Sequence, residues 1–472
     1  MTRLRTLVLV PLLLALAACA GVPASDMPAR RAAPEIALPP MKTFTTTDPI
    51  PVERSNADMA RDFLELAFFM ESGRPIPVLA RFEGPITLRM TGPVPPGAET
   101  ELTRLLGRLR REAGLDVTRV PAEAQAGVTV EFVTRATMRA AVPAAACFVV
   151  PRVSDWAGFL RARRGGALDW TTLQQRERVS VFIPYDVPPQ EMRDCLHEEV
   201  AQAMGPLNDL YRLHDSVFND DNFQTVLTGF DMLMLRVFND PALRSGMTRE
   251  QVAARLPDIF ARLNPRGERI ASAGPAGRSP RAWVNAIETA LGPGAGRSQR
   301  RAAAEQALAI ARVQGWQDAR LAFSHFTLAR MAGPQEGEMA LTNLLAAGTI
   351  YRRLPGGAVH TAHVDMQLAA FALSAGRTEE ALSLAVRAQP AARRSENAAL
   401  LSSLQMVQAE ALDRLGRPAE ARTVRADALA WARFGFGAED RVRARLAEVA
   451  ALGAPPPGLA VQTSRLQRGY ME

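Results

Sequence analysis

The chain has 472 residues, about three average domains, so two or three folded units are expected and a small disulfide-stapled module is excluded. Hydrophobic residues make up 47% and charged residues 22%, which is ordinary for globular protein and excludes a wholly disordered chain. A net charge of +7 would suit nucleic acid only if the basic residues shared one face or run; Lys42 is the sole lysine among 56 basic residues, and arginines such as Arg104, Arg108, Arg110 and Arg111 are interleaved with acidic and small residues, so no nucleic-acid partner is expected.

Arg3 and Arg5 precede an apolar run over 7–17 that is too short to span a bilayer as a helix and fits the core of a secretory signal. The run ends in Leu16-Ala17-Ala18-Cys19 followed by Ala20-Gly21, which resembles a bacterial lipobox and implies a signal peptide over 1–18 and lipidation of Cys19. Ala20, where many lipoproteins retained in the inner membrane carry aspartate, directs the expectation to the outer membrane, facing the periplasm. Residues 19–54, rich in proline and alanine, read as a tether. In an oxidising compartment Cys147 and Cys195 are expected to form a disulfide, since neither has a further cysteine or histidine at metal-binding spacing.

Ser55-Asn56 can cap a helix whose stripe is Met59, Phe63, Leu64, Leu66, Ala67 and Phe68, ending near Gly73. Strands are expected at 86–90, 128–133, 147–150 and 179–183, with an amphipathic helix marked by Leu102, Leu105, Leu106 and Leu109 between the first two. This alternation argues for a mixed α/β domain over 55–250, and Pro188-Pro189 open its last long helix. Beyond about residue 245 only helical patterns remain. The segments Gly376-Arg377-Thr378-Glu379-Glu380-Ala381 and Gly416-Arg417-Pro418-Ala419-Glu420-Ala421 are alike at an offset of 40, which suggests helical repeats similar to the tetratricopeptide type over 296–455, with a plain bundle as the alternative. A helical linker region over 251–295, loop-like at 266–280, joins the two, and 456–472 reads as a flexible tail.

The helix after Pro189 carries Cys195-Leu196-His197-Glu198-Glu199-Val200-Ala201-Gln202. A zinc protease helix reads His-Glu-x-x-His, because residues four apart share a face and the glutamate beside the first ligand activates water. Here Glu198 and Gln202 stand at the two ligand positions and Glu199 at the base position; Gly205 falls where metzincins turn the chain, and Asn208 or Asp209 where their third ligand arrives. Ser216-Val217-Phe218-Asn219-Asp220 sits at their turn beneath the metal, with Phe218 in place of methionine, and 227–240 resembles their closing helix. This pattern over about 55–250 resembles the bacterial family called domain of unknown function 2927, itself similar to zincins.

The resemblance implies an α+β/α multidomain protein, a degenerate zincin-like mixed α/β domain followed by an all-α helical-repeat domain. Glutamine is a poor zinc ligand and no histidine stands four residues from another, so no cofactor is expected; an all-oxygen set of Glu198, Gln202 and Asp209 would suit calcium, magnesium or manganese better than zinc. His197, with His214 and Asp215, offers a shifted alternative, and His360 with His363 lacks a third ligand. The expected function is a cell-envelope lipoprotein with an inactive metalloprotease-like domain, binding a peptide or protein through the old cleft and the helical repeats and the membrane through its lipid. The alternative is an atypical metal-dependent peptidase with Glu199 as general base.

Overall fold

The mixed α/β half is built on one twisted five-stranded sheet. A computed structural model describes residues 38–45, 51–274, 276–333 and 335–452; the stretch read as a signal peptide, Cys19 and the stretch read as a tail over 456–472 lie outside them. Helix α1 (Asn56–Ala67) starts where Ser55 accepts a hydrogen bond from the Asp58 amide. Strand β1 (Ile86–Thr91), helix α2 (Ala98–Arg108, extended by a π turn over Leu109–Ala113), β2 (Val117–Arg119), β3 (Val128–Val133), α3 (Arg135–Ala141), β4 (Phe148–Pro151), α4 (Trp156–Ala162) and β5 (Val179–Pro184) follow. Helix α5 (Pro189–Met204) comes next, and after a loop come α6 (Gly229–Phe238), α7 (Arg249–Ala253) and α8 (Leu256–Leu263).

The strand order is β2-β1-β3-β5-β4, parallel except for β4, which runs antiparallel to β5 at the edge. Strand β5 is buried at every position, as a central parallel strand covered on both faces must be. Val179, Val181 and Ile183 join the main core, while Phe182 packs with Phe148, Trp156 and Phe159 on the other face. The expected strands are all present; β2, only three residues long at the other edge, is too short to carry a periodic signal. A Cys147–Cys195 disulfide ties the residue before β4 to the middle of α5.

The C-terminal half is helical throughout its described residues: α9 (Arg281–Leu291), α10 (Arg297–Val313), α11 (Ala319–Arg330), α12 (Gly337–Tyr351), α13 (Ala358–Ser374), α14 (Thr378–Arg394), α15 (Ala398–Arg414), α16 (Pro418–Phe436) and α17 (Glu439–Ala451). The offset of 40 is thereby explained as two 17-residue helices with two three-residue turns. The turns place a left-handed residue at 356, 376, 396 and 416; three are glycines at φ +79°, +72° and +72°, and the fourth is Glu396 at +51°.

Glu396 explains its own exception. It is 1% exposed, and its carboxylate accepts from Arg104 at 3.0 and 3.1 Å and from Arg193 of α5 at 3.4 Å. Arg193 also donates to the Glu396 carbonyl at 2.7 Å, Thr225 donates to the Ser395 carbonyl at 2.8 Å, and Gln190 accepts from the Ala399 amide at 2.9 Å. Farther along the seam His360 pairs with Asp221 at 3.0 Å and His214 donates to the Pro355 carbonyl at 2.7 Å. The two halves belong to one compact unit. Residues 39–44, within the stretch read as a tether, lie along α16: Phe44 stacks on Trp431 at 4.5 Å and Arg433 donates to the Pro39 carbonyl at 2.8 Å, because an aromatic ring there finds an apolar partner.

A non-glycine residue in this conformation costs roughly 1–2 kcal/mol, whereas losing one partner of a buried ion pair costs about 3–5 kcal/mol. Glu396→Gly is therefore expected to lower stability by about 1–4 kcal/mol despite removing the strain, and Glu396→Ala by more. Urea unfolding of the three proteins checks this; a stabilised glycine variant would mean that the carboxylate does not hold the seam.

Candidate functional site: an acidic cleft at the end of helix α5

Helix α5 is buried on nearly all sides, and its polar residues divide along its length. Gln190 and Arg193 in the first turns dock the helical half, while Glu198, Glu199 and Gln202 lie toward the end that the sequence marks as a site. The C-terminal carbonyls are closed by Arg176, whose buried guanidinium donates to those of Gln202, Ala203 and Gly205 at 2.7, 2.8 and 2.6 Å between the rings of Trp170 and Phe238. Gly205 is required by close packing: an added Cβ would sit 2.4 Å from Leu235 Cδ2 and 2.9 Å from the Ala201 carbonyl oxygen.

The chain then runs back along α1. The amides of Leu207 and Asn208 donate to the Leu66 carbonyl and the Asn208 side chain to that of Glu65 at 3.0 Å, which fixes Asn208 to backbone. Asp209 turns the other way, into a cleft of about 290 Å3 that it lines with Glu71, Tyr211 and Asp220. Gln202 Nε2 reaches Asp209 Oδ2 at 3.4 Å, and Asp209 shares a hydrogen bond with the Glu71 carboxyl. Phe218, at the expected turn, is fully buried in the main core, and its carbonyl accepts from the Leu210 amide at 3.0 Å. Asp231 at the head of α6 ties this turn down, accepting from Ser216, Val217 and Thr228.

The site is crowded with carboxyl groups. Burial and the nearby charges of Asp220 and Glu71 push Glu198 up to about 8, and burial followed by Glu71 pushes Asp220 up to about 7. Glu199 and Asp209 are raised well above the ordinary range, first by burial and then by neighbours, Glu198 for the former and Asp220 for the latter. Glu199 Oε2 and Asp209 Oδ1 are buried with no hydrogen-bond partner, a situation tolerable for a neutral acid and costly for a carboxylate.

The donors present do not fit zinc. No imidazole faces Glu198 or Gln202: His197 points inward, 4% exposed, its Nδ1 accepting from the Leu227 amide at 3.1 Å. His214 is bonded to Pro355 and Asp215 is paired with Arg54, while His360 and His363 flank Phe223, each at 4.6 Å. Among the described residues no group of three or more His, Cys, Asp or Glu is arranged to hold a metal ion.

Two sets of residues escaped sequence reasoning. Glu71 stands in an irregular segment where no spacing rule applies, and the turn pattern that includes Asp220 assigns its carboxyl no role. Arg278, Ser279, Arg281, Val284 and Glu288 come from the loop over 266–280 and from α9, and they wall the cleft from the other half of the chain. The aromatic contact of Tyr211 with Trp283 at 5.0 Å holds that wall in place.

Residues 56–258, from α1 into α8, match a family model described as "Protein of unknown function (DUF2927)". The match encloses the sheet, α5 and the acidic floor of the cleft. No curated protein and no solved structure matches the chain.

Two outcomes follow from this geometry. Acids whose folded pKa is raised stabilise the fold fully below their unfolded pKa and lose that contribution as pH rises through the folded value. With Asp231 at about 6, Asp220 at about 7 and Glu198 at about 8, thermal stability is expected to fall from about pH 5 to about pH 9, and Asp220→Asn should flatten the decline. A flat profile over that range would contradict the assignment. Gly205→Ala should destabilise by about 1–3 kcal/mol through overpacking against Leu235, read as a lowered urea midpoint.

Proposed function

We propose that this chain is an exported, lipid-anchored envelope protein whose α/β half is a degenerate relative of the metzincin-type proteases, retained for binding rather than hydrolysis. Its ligand is a peptide or a protein segment. The observation that carries this reading is the setting of Glu199: the residue at the base position is buried beside Glu198, has an unpartnered oxygen, and is raised well above the ordinary carboxylate range, first by burial and then by Glu198. Both influences favour the protonated carboxyl, the form that cannot take a proton from water. The oxygen set of Glu198, Gln202 and Asp209 supports the same conclusion, since Gln202 spends its amide on Asp209. The helical half, similar to tetratricopeptide repeats in its turn pattern, supplies a second surface for a protein partner, and the antiparallel edge strand β4 offers main-chain groups to an extended peptide. The lipobox-like residues through Cys19 support anchorage, most simply in the outer membrane facing the periplasm.

Metal content and thermal stability of the purified chain, with and without chelator, test this reading against a metal-dependent peptidase. Wild type, Glu199→Gln and Glu198→Ala are expected to contain no stoichiometric metal, and chelator should leave their melting unchanged. Bound metal lost on chelation or in Glu198→Ala, with peptide cleavage that Glu199→Gln abolishes, would replace the binding reading by the enzymatic one.

A further inference from the structure

We propose that a cavity in the helical half, walled by Arg352, Arg387 and Arg394, binds a phosphate group in its doubly charged form. The cavity shares no residue with the acidic cleft and the inference goes beyond the reading given above.

These arginines are far apart in the sequence, and the fold collects them. Arg387 and Arg394 are seven residues apart, two turns along one face of α14 and about 10 Å along its axis. Arg352 follows the last turn of α12 and lines the same cavity of about 410 Å3. The wall between them is made largely of small residues, Gly356, Gly357, Ala362, Ala388 and Ala391, which leaves the volume open. Gly357 cannot be larger, since an added Cβ would lie 2.3 Å from the Tyr351 carbonyl oxygen.

Three guanidinium groups meet a single carboxylate there, that of Asp365, so the wall carries more positive than negative charge. Asp365 is 2% exposed and accepts from Arg387 Nε and Nη2 at 3.1 and 3.0 Å, which fixes the Arg387 plane at the cavity. Asp215, behind Gly356, is spent on Arg54 through both of its oxygens. Arg394 is exposed and has no hydrogen-bond or ion-pair partner among the described residues. Like charges held around one open volume repel, and an anion arriving between them removes that repulsion.

The arrangement selects among anions. A carboxylate carries one charge and two oxygens in one plane, which a single guanidinium fork satisfies. Donors reaching in from the end of α12 and from two turns of α14 match the tetrahedral oxygens and the second charge of a phosphate. The volume holds that group together with a short organic body. Arginine stays charged throughout the working range, so the ligand's own second ionisation, near pH 6 for a phosphate ester, sets the pH dependence.

Calorimetry on the full chain at low ionic strength tests the proposal, with sodium phosphate, glycerol 3-phosphate, glycerol and sodium acetate as separate titrants. Saturable binding of phosphate or glycerol 3-phosphate at about pH 7.5 is the expected result, falling several-fold at about pH 5, where the ester is singly charged. Arg394→Ala should weaken it at least about tenfold, and Arg394→Lys, which keeps the charge and loses the fork, by a smaller factor. Arg422→Ala, at an exposed position of α16 outside the cavity, should leave it unchanged. Tighter binding of glycerol 3-phosphate than of phosphate would identify an ester as the source, and the reverse or equality the free ion. Acetate binding as well as phosphate would overturn the assignment of a dianion. Binding that survives Arg394→Ala, or that falls equally in Arg422→Ala, would overturn the cavity in favour of general charge attraction. No binding of either phosphate would remove the site altogether, and none of these results would bear on the cleft.

Discussion

Arg193 has no exposed surface; Asp194 beside it answers its guanidinium at 3.2 Å, and Glu396 of the other half answers it at 3.4 Å. A buried guanidinium on the central helix α5 is costly unless its donors are all met, and beyond Asp194 and Thr225 it is the helical half that meets the rest, through the Glu396 carboxylate and carbonyl. The helical half meets that requirement with a glutamate at a position where its other turns use glycine, accepting backbone strain to deliver the charge. Arg193 and Glu396 thus satisfy each other across the seam. This is why a sequence that reads as separate domains folds with a polar, hydrogen-bonded seam instead of a mobile hinge.

The same helix transmits that constraint to the cleft. Its first turns are fixed by Glu396 and Ala399, its last carbonyls by Arg176, and its middle by the disulfide from Cys195 to Cys147. A helix so held cannot rotate to relieve repulsion among Glu198, Glu199 and their neighbours. Burial first and that repulsion second favour the protonated forms, which is the direction in which both carboxyl groups are shifted. The cleft is also a product of both halves, because its acidic floor comes from the matched domain and its opposite wall from Arg278, Arg281 and Glu288.

Much of the α/β half was legible because its signals are local. Alternating and continuous apolar runs mark the four longer strands, and Ser55 caps α1. The 40-residue offset exposed the helix pairs, although Glu396 concealed the intermediate 20-residue spacing by replacing the expected glycine. Glu198, Gln202 and Asp209 could be nominated from a spacing rule, and the Gln202–Asp209 contact brings two of them together. Glu71, Asp220 and Arg278 could not, since they meet only through tertiary packing of irregular segments. Arg176 is the sharpest case, an arginine whose role is set entirely by which carbonyls end a helix 26 to 29 residues later.

The proposed function rests on burial and Glu198 favouring the neutral form of the Glu199 carboxyl. Infrared difference spectroscopy of wild type against Glu199→Gln at neutral pH measures this directly through the protonated carboxyl stretch. The account predicts a protonated-carboxyl band in the wild type that the glutamine variant lacks. A difference confined to the carboxylate bands would mean that Glu199 is ionised and available as a base, and would contradict the account.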